Sequence, residues 1–294
     1  MSQFEAHLLT ERLGASTRRG YAEDVTRFLV WLAARTETEL VPQDVTLTQV
    51  KKYVEAKQAE GRSSRMLNRS LSSLRRYFGW LEAQGPVVTT ASVLPRLRVD
   101  SSKPLVILSS TEVRALARAA RSTGFARDRP RNEALVLVLV HTGIRLGEAV
   151  SLRWSDLSIR ARTGVMEIAS SHGSGSRSIP LDRVARAMLS RLKEDGKRRS
   201  YVFLSSRGGS MSPRTVEHLM RELAARARLK RVVTTKLLRH TFARTYLEQH
   251  PGDLVGLALL LGLSVGSAAT YILPTPDSLS AKVEEFPRRI DGSK

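Results

Sequence analysis

Cysteine is absent from the 294 residues. That excludes a disulfide framework and any thiolate metal ligand, and it leaves the redox compartment unread. Acidic residues are scarce beside basic ones, 28 Asp+Glu against 48 Lys+Arg, for a formal net charge of +20. The excess runs along the whole chain rather than a tail, so the expected partner is a polyanion; a basic surface kept for solubility or membrane adhesion is the blander reading. Long hydrophobic runs are also missing. The two longest, around Ala134 to Val140 and Leu254 to Leu263, fall well short of the ~20 residues that span a bilayer and read as buried helix. The first residues, Met-Ser-Gln-Phe-Glu-Ala-His, carry no basic stretch leading into an apolar core, so no secretory signal is read. With no internal repeat and no long low-complexity tract, the expectation is a cytoplasmic, nucleoid-associated protein without a membrane partner.

The length fits two domains of ordinary size, each able to bury a core. In the first, Tyr21, Val25, Phe28, Leu29 and Leu32 recur at helical spacing, and Thr46 with Gln49 forms a capping box before Val50, Tyr53 and Val54. A further helix places Leu67, Leu71, Leu74, Phe78 and Leu81 on one stripe, with Arg65, Arg69 and Arg76 off it. Those arginines read either as a solvated face or, as a group in so basic a chain, as phosphate contacts.

From Gly85 to Pro104 the periodicity breaks around Pro86, Pro95 and Pro104, the composition of an interdomain linker. The expected domains are 1–100, with a linker at about 85–105, and 106–294. The second opens on a capping box, Ser109 with Glu112, and holds a buried helix from about Asn132 to His141. Short strands, Val165 to Ile168 and Arg177 to Ile179, flank the turn-rich Ser171 to Ser176 as a β-hairpin. Helices resume after Ser212-Pro213, from about Thr235 to Glu248, and from Leu254 to Leu261.

Three segments carry chemistry. In His141-Thr142-Gly143-Ile144-Arg145-Leu146-Gly147-Glu148 a glycine turn precedes an arginine that opens a helix. There a guanidinium and free backbone N–H groups face the same way, and both favour a phosphate oxygen. Glu148, one turn on, is placed to hold that guanidinium. A second arginine, Arg239, lies in Leu237-Leu238-Arg239-His240-Thr241-Phe242-Ala243, and Leu260-Leu261-Gly262-Leu263 is followed by Thr270-Tyr271. On its own, Tyr271 reads as a packed core aromatic.

This ordered set resembles the tyrosine recombinase, or phage integrase, family. The likeness covers nearly the whole chain, since Tyr21, Phe28, Trp31, Asn68, Arg75 and Trp80 also resemble the family's N-terminal domain. It implies a mainly α (α+β) fold, with a helical, SAM-like core-binding domain followed by an α-rich catalytic domain carrying a small antiparallel sheet. It further implies double-stranded DNA as partner, homodimers and homotetramers on that DNA, and no cofactor or metal. Residue by residue, it implies that Arg145 and Arg239 clamp the scissile phosphate, that Glu148 supports them, and that Tyr271 attacks phosphorus to leave a 3′-phosphotyrosyl link. Arg65, Arg69, Arg76, Arg177 and His240 are the expected DNA contacts. Leu279 to Phe286, amphipathic and close after Tyr271, is a candidate for docking on a neighbouring protomer or on its own domain.

Three family positions are substituted. His172 stands where the hairpin lysine would be, Lys236 where the first histidine of His-x-x-Arg would be, and Leu263 where a His or Trp would follow Leu-Gly. The spacing from there to Tyr271 is about one residue short. Either His172 or Lys236 supplies the proton for the leaving oxygen, or the chain is an impaired relative acting as a sequence-specific DNA-binding or accessory protein.

Overall fold

The computed structural model describes residues 2–11, 13–36, 39–99, 105–169, 176–194 and 200–271. The chain divides into two compact units, Met1–Ser101 and Ser102–Lys294.

The first unit is all helical: α1 (Ser2–Thr10), α2 (Ala15–Ala33), α3 (Leu47–Ala59) and α4 (Ser64–Glu82). The long faces of α2 and α4 meet through Val25, Phe28 and Leu32 on one side and Leu67, Leu71, Leu74 and Phe78 on the other, all buried. The expected apolar stripe of α4 is therefore its core face. Thr46 caps α3 through the capping box read from sequence.

The described part of the stretch expected as linker, up to residue 99, packs on the first unit. Asn68 on α4 exchanges two hydrogen bonds with the Leu97 backbone, at 2.7 and 2.8 Å, and Arg75 donates to the Leu94 and Pro95 carbonyls. Leu94 and Thr89 are buried. Prolines that break periodicity also suit an extended segment whose backbone is satisfied by side chains, and composition does not tell the two apart.

The second unit is helical around a small sheet. Its elements are α5 (Ser110–Ala120), α6 (Arg129–Thr142), α7 (Leu146–Ser151), β1 (Leu157–Ile159), β2 (Gly164–Ile168), β3 (Arg177–Pro180), α8 (Arg183–Glu194), α9 (Pro213–Arg226), α10 (Thr235–Gln249), α11 (Leu254–Leu261) and α12 (Val265–Ala269). α6 is the central helix, apolar nearly all round, and packs against α5, α8 and α10. The sheet runs β1-β2-β3, antiparallel, with Ile168 opposite Arg177 and Leu157 opposite Met166. The hairpin expected from sequence thus gains a first strand of three residues, too short to read. Helix α8 was also unread; Ala185 and Leu189 bury its apolar face, and Asp182 caps its first turn at Ala185.

α11 departs from the expectation of a buried helix. Leu257, Ala258 and Leu261 are buried, but Val255 and Leu259 are 59% and 70% exposed, so only one face meets the core. Among the described residues no helix is long and apolar enough to cross a membrane.

Candidate active site

The site is built where three helix ends converge. α6 ends at Gly143, whose backbone is left-handed at φ +62°. A Cβ there would come within 2.5 Å of the Phe242 ring and 2.7 Å of Leu261, so glycine is required both for conformation and for room. The chain turns through buried Ile144, and Arg145 becomes the residue that opens α7. Its backbone N–H donates to Glu148 Oε2 at 2.7 Å and its Nη1 to Glu148 Oε1 at 2.9 Å. Its guanidinium remains 45% exposed, facing outward with further N–H groups to offer.

Arg239 sits in the second turn of α10, whose start is capped by Thr234 through the Leu237 N–H. The arginine is only 8% exposed. A buried guanidinium must have hydrogen-bond acceptors, and it finds them at two helix ends: Nη1 donates to the Gly143 carbonyl at 2.6 Å and Nη2 to the Leu261 carbonyl at 2.7 Å.

The end of α11 supplies one acceptor to each of three arginines. Its last carbonyls have no partner within the helix and carry the negative end of its dipole. Arg177 Nε donates to Leu260 at 3.0 Å, Arg239 Nη2 to Leu261, and Arg145 Nη2 to Gly262 at 2.9 Å. Consecutive carbonyls thereby fix side chains that are far apart in the chain.

Charge in the site is perturbed accordingly. Burial lowers the Arg239 pKa first, and the neighbouring Arg145 lowers it further; the Tyr271 phenol, by charge and as hydrogen-bond partner, and Glu148 act in the opposite direction. Burial would raise Glu148, but hydrogen bonds from Arg177 and Arg145 outweigh it and leave the carboxyl below its ordinary value. His240 is held below its ordinary value by burial, then by Lys236 and Arg239, which keeps the imidazole neutral near pH 7. Its ring meets Tyr271 edge to face, with centroids 5.6 Å apart and planes at 80°.

A cleft of about 250 Å³ opens above this arrangement, lined by Ile144, Arg145, Leu146, Thr235, Lys236 and Arg239. Both arginines and Lys236 thus share one concavity. Tyr271 follows α12, half-buried, and packs with Leu263 on the small core of α10, α11 and α12. The arrangement can take up an anion the size of a phosphodiester, with guanidinium donors on one side and a phenol beside Arg239.

Residues 107–265 match the model of the phage integrase family, and residues 1–85 match that of the phage integrase N-terminal SAM-like domain. The chain belongs to the phage integrase family. Among its relatives, tyrosine recombinase XerC of Xanthomonas campestris pv. campestris (strain B100) is 32% identical over 267 residues, covering 89% of this chain and 79% of that protein. XerC of Anoxybacillus flavithermus (strain DSM 21510 / WK1) is 28% identical over 269 residues, covering 88% and 87%. In fold the chain is similar to the XerH site-specific recombinase bound to palindromic difH substrate, at TM-score 0.77 and 17% identity, covering 93% of this chain and 81% of that one. It is similar also to a lambda integrase(75-356) dimer bound to a COC′ core site, at TM-score 0.72 and 20% identity, covering 92% and 93%. The integrase fold expected from sequence, mainly helical with a small antiparallel sheet, is the fold observed.

Within this integrase-family site, the structure groups Arg145, Glu148, Arg239, Lys236 and Tyr271. His172 and Leu279 to Phe286 lie outside the described residues. Of the expected DNA contacts, Arg65 and Arg69 are exposed on α4. Arg69 lies over Gly20, where a Cβ would come within 2.6 Å of its Nη2, and 3.9 Å from the buried Asp24. Arg76 is paired with Glu11, Nε at 2.8 Å, and covers the Tyr21 ring. Arg177 is only 15% exposed in its side chain and is consumed by Glu148 and Leu260. His240 is partly exposed and its ring also meets Tyr271. Gly262 is named in the sequence only as part of the Leu-Gly motif, although a glycine after an apolar run signals a left-handed helix end whose carbonyls are open to donors.

Proposed function

We propose that this chain is a site-specific DNA recombinase that cuts and rejoins strands through Tyr271. The observation that carries the reading is the convergence of Arg145 and Arg239 on neighbouring carbonyls of α11, with Lys236 in the same cleft and Tyr271 beside Arg239.

Tyr271 gives up its phenolic proton to solvent, its oxygen attacks phosphorus and the bond to the 5′-oxygen breaks, giving a 3′-phosphotyrosyl link. The departing 5′-oxygen takes a proton from Lys236 or His172. Arg145 and Arg239 neutralise the charge that builds on the non-bridging oxygens, and their preorganised forks need no rearrangement as it builds. Rejoining is the reverse attack by a 5′-hydroxyl, so the bond energy is kept without ATP. Residues 1–100 and 106–294 act as core-binding and catalytic domains on double-stranded DNA, in the cytoplasm and on the nucleoid. Assembly on DNA is as dimers and tetramers; the exposed Val255 and Leu259 of α11 suit burial against a neighbouring protomer.

The test is trapping on a nicked suicide duplex bearing the site that this protein selects from a random-sequence library. A protein–DNA adduct that survives denaturant and is lost in Tyr271→Phe supports the recombinase. Binding without any adduct indicates the impaired, DNA-binding relative.

A further inference from the structure

We infer that Arg177 is a positioning residue for strand cleavage, one that holds Glu148 in place while cancelling its charge, so that Glu148 orients Arg145 without weakening it. The inference rests on the proposed recombinase reading and deepens it.

Arg177 opens β3, opposite Ile168 of β2. Its guanidinium forms a two-pronged fork on Glu148, Nη1 to Oε1 at 3.0 Å and Nη2 to Oε2 at 2.7 Å. Its remaining Nε donates to the Leu260 carbonyl at 3.0 Å. The same two carboxylate oxygens accept from Arg145, Oε1 from Nη1 and Oε2 from the backbone N–H. Glu148 is thus shared between two arginines, and Arg177 is the one turned inward.

Gly262 gives independent support. A Cβ there would lie 2.9 Å from Arg177 Nη1 and 3.1 Å from its guanidinium carbon, so the helix end is shaped around this side chain as well as by its φ of +60°. A solvated arginine would leave no such imprint.

The electrostatic consequence follows from charge alone. Glu148 is needed to aim Arg145, but a lone carboxylate against that guanidinium would subtract from the field meant for a phosphate. With Arg145, Arg177 and Arg239 beside it the cluster keeps two positive charges; without Arg177 it keeps one. Arg177 also ties β3 to α7 and α11, and the chain leaves α11 for α12 and Tyr271. A lysine in its place supplies the charge but not the fork.

The test uses the full chain in single-turnover cleavage of the library-selected nicked duplex at saturating DNA, with the Kd and its salt dependence measured in parallel. Arg177→Met is expected to slow cleavage by about 30-fold or more, with Kd changed less than about threefold and the salt slope unchanged. Glu148→Gln added to Arg177→Met is expected to recover about tenfold of that loss, because the unbalanced carboxylate is gone; a merely structural role gives no such rescue. Gly262→Ala, which crowds the guanidinium, is expected to slow cleavage in the same sense and serves if Arg177→Met does not fold. A cleavage rate within about threefold of wild type in Arg177→Met, or failure of Glu148→Gln to rescue, overturns the inference. So does a salt slope reduced by about one phosphate, which makes Arg177 a DNA contact. Absence of an adduct with the wild-type protein is the failure of the recombinase reading itself, and the inference falls with it.

Discussion

Arg145 and Arg239, 94 positions apart in the chain, donate to adjacent carbonyls, Gly262 at 2.9 Å and Leu261 at 2.7 Å. Their separation is therefore set by the backbone geometry of one helix end rather than by flexible side chains. Preorganisation of this kind lets two guanidiniums meet one phosphate without an entropic cost at the moment of reaction.

Replacing Arg239 with lysine removes the fork that joins Gly143 to Leu261 and leaves at least one buried carbonyl unsatisfied. Arg239→Lys is expected to slow single-turnover cleavage by about 10²-fold or more and to lower stability by about 1–3 kcal/mol. Urea denaturation and adduct formation measured on the same preparation check both; near-wild-type behaviour in either contradicts the geometry.

On α4 the arginines separate by environment. Arg65→Ala and Arg69→Ala are each expected to reduce the slope of log K against log salt by about 0.9, as lost phosphate contacts do. Arg76→Ala is expected to leave that slope alone and cost up to about 1 kcal/mol of stability through Glu11. Fluorescence anisotropy titrations at several salt concentrations distinguish the two classes.

That contrast also marks what the sequence could say. Periodicity placed the core stripe of α4, because burial imposes a 3.6-residue repeat that side chains must obey. It could not tell Arg76 from Arg65, since the partner that neutralises Arg76 is Glu11, 65 positions away. Arg145, Arg239 and Tyr271 stand out by their flanks and Gly262 by the apolar run before it, whereas the inward role of Arg177 depends on a tertiary meeting of α7, β3 and α11 that no local pattern encodes. That residues 85–97 pack on α4 was not legible, because proline breaks helices in linkers and in packed extended chain alike.

Acid should weaken the site. Glu148 lies below its ordinary pKa, burial being outweighed by the hydrogen bonds from Arg177 and Arg145. A depressed carboxyl contributes stability that is complete above the usual carboxylate range and is lost as pH falls through the lower folded-state value. Glu148→Gln should therefore be less stable than wild type at neutral pH, with the difference shrinking from about pH 5 downward. Parallel stability curves between about pH 3 and 7 would refute this.

The proton donor is separable by sulfur. With the bridging 5′-oxygen replaced by sulfur, the leaving group no longer needs protonation. Lys236→Ala should be slow on the ordinary substrate, by about 10²-fold or more, and close to wild type on the sulfur substrate. Rescue of His172→Ala instead transfers the role to that residue, and rescue of neither removes both from the reaction.

The central claim is that Arg145 and Arg239 work by neutralising the charge on one phosphate, and a neutral methylphosphonate at the scissile position tests it most directly. Arg145→Ala and Arg239→Ala should cleave the ordinary diester at least about 10²-fold more slowly than wild type and regain much of that loss on the methylphosphonate. If both variants stay as defective on the neutral linkage as on the charged one, the two guanidiniums do not meet at that phosphate.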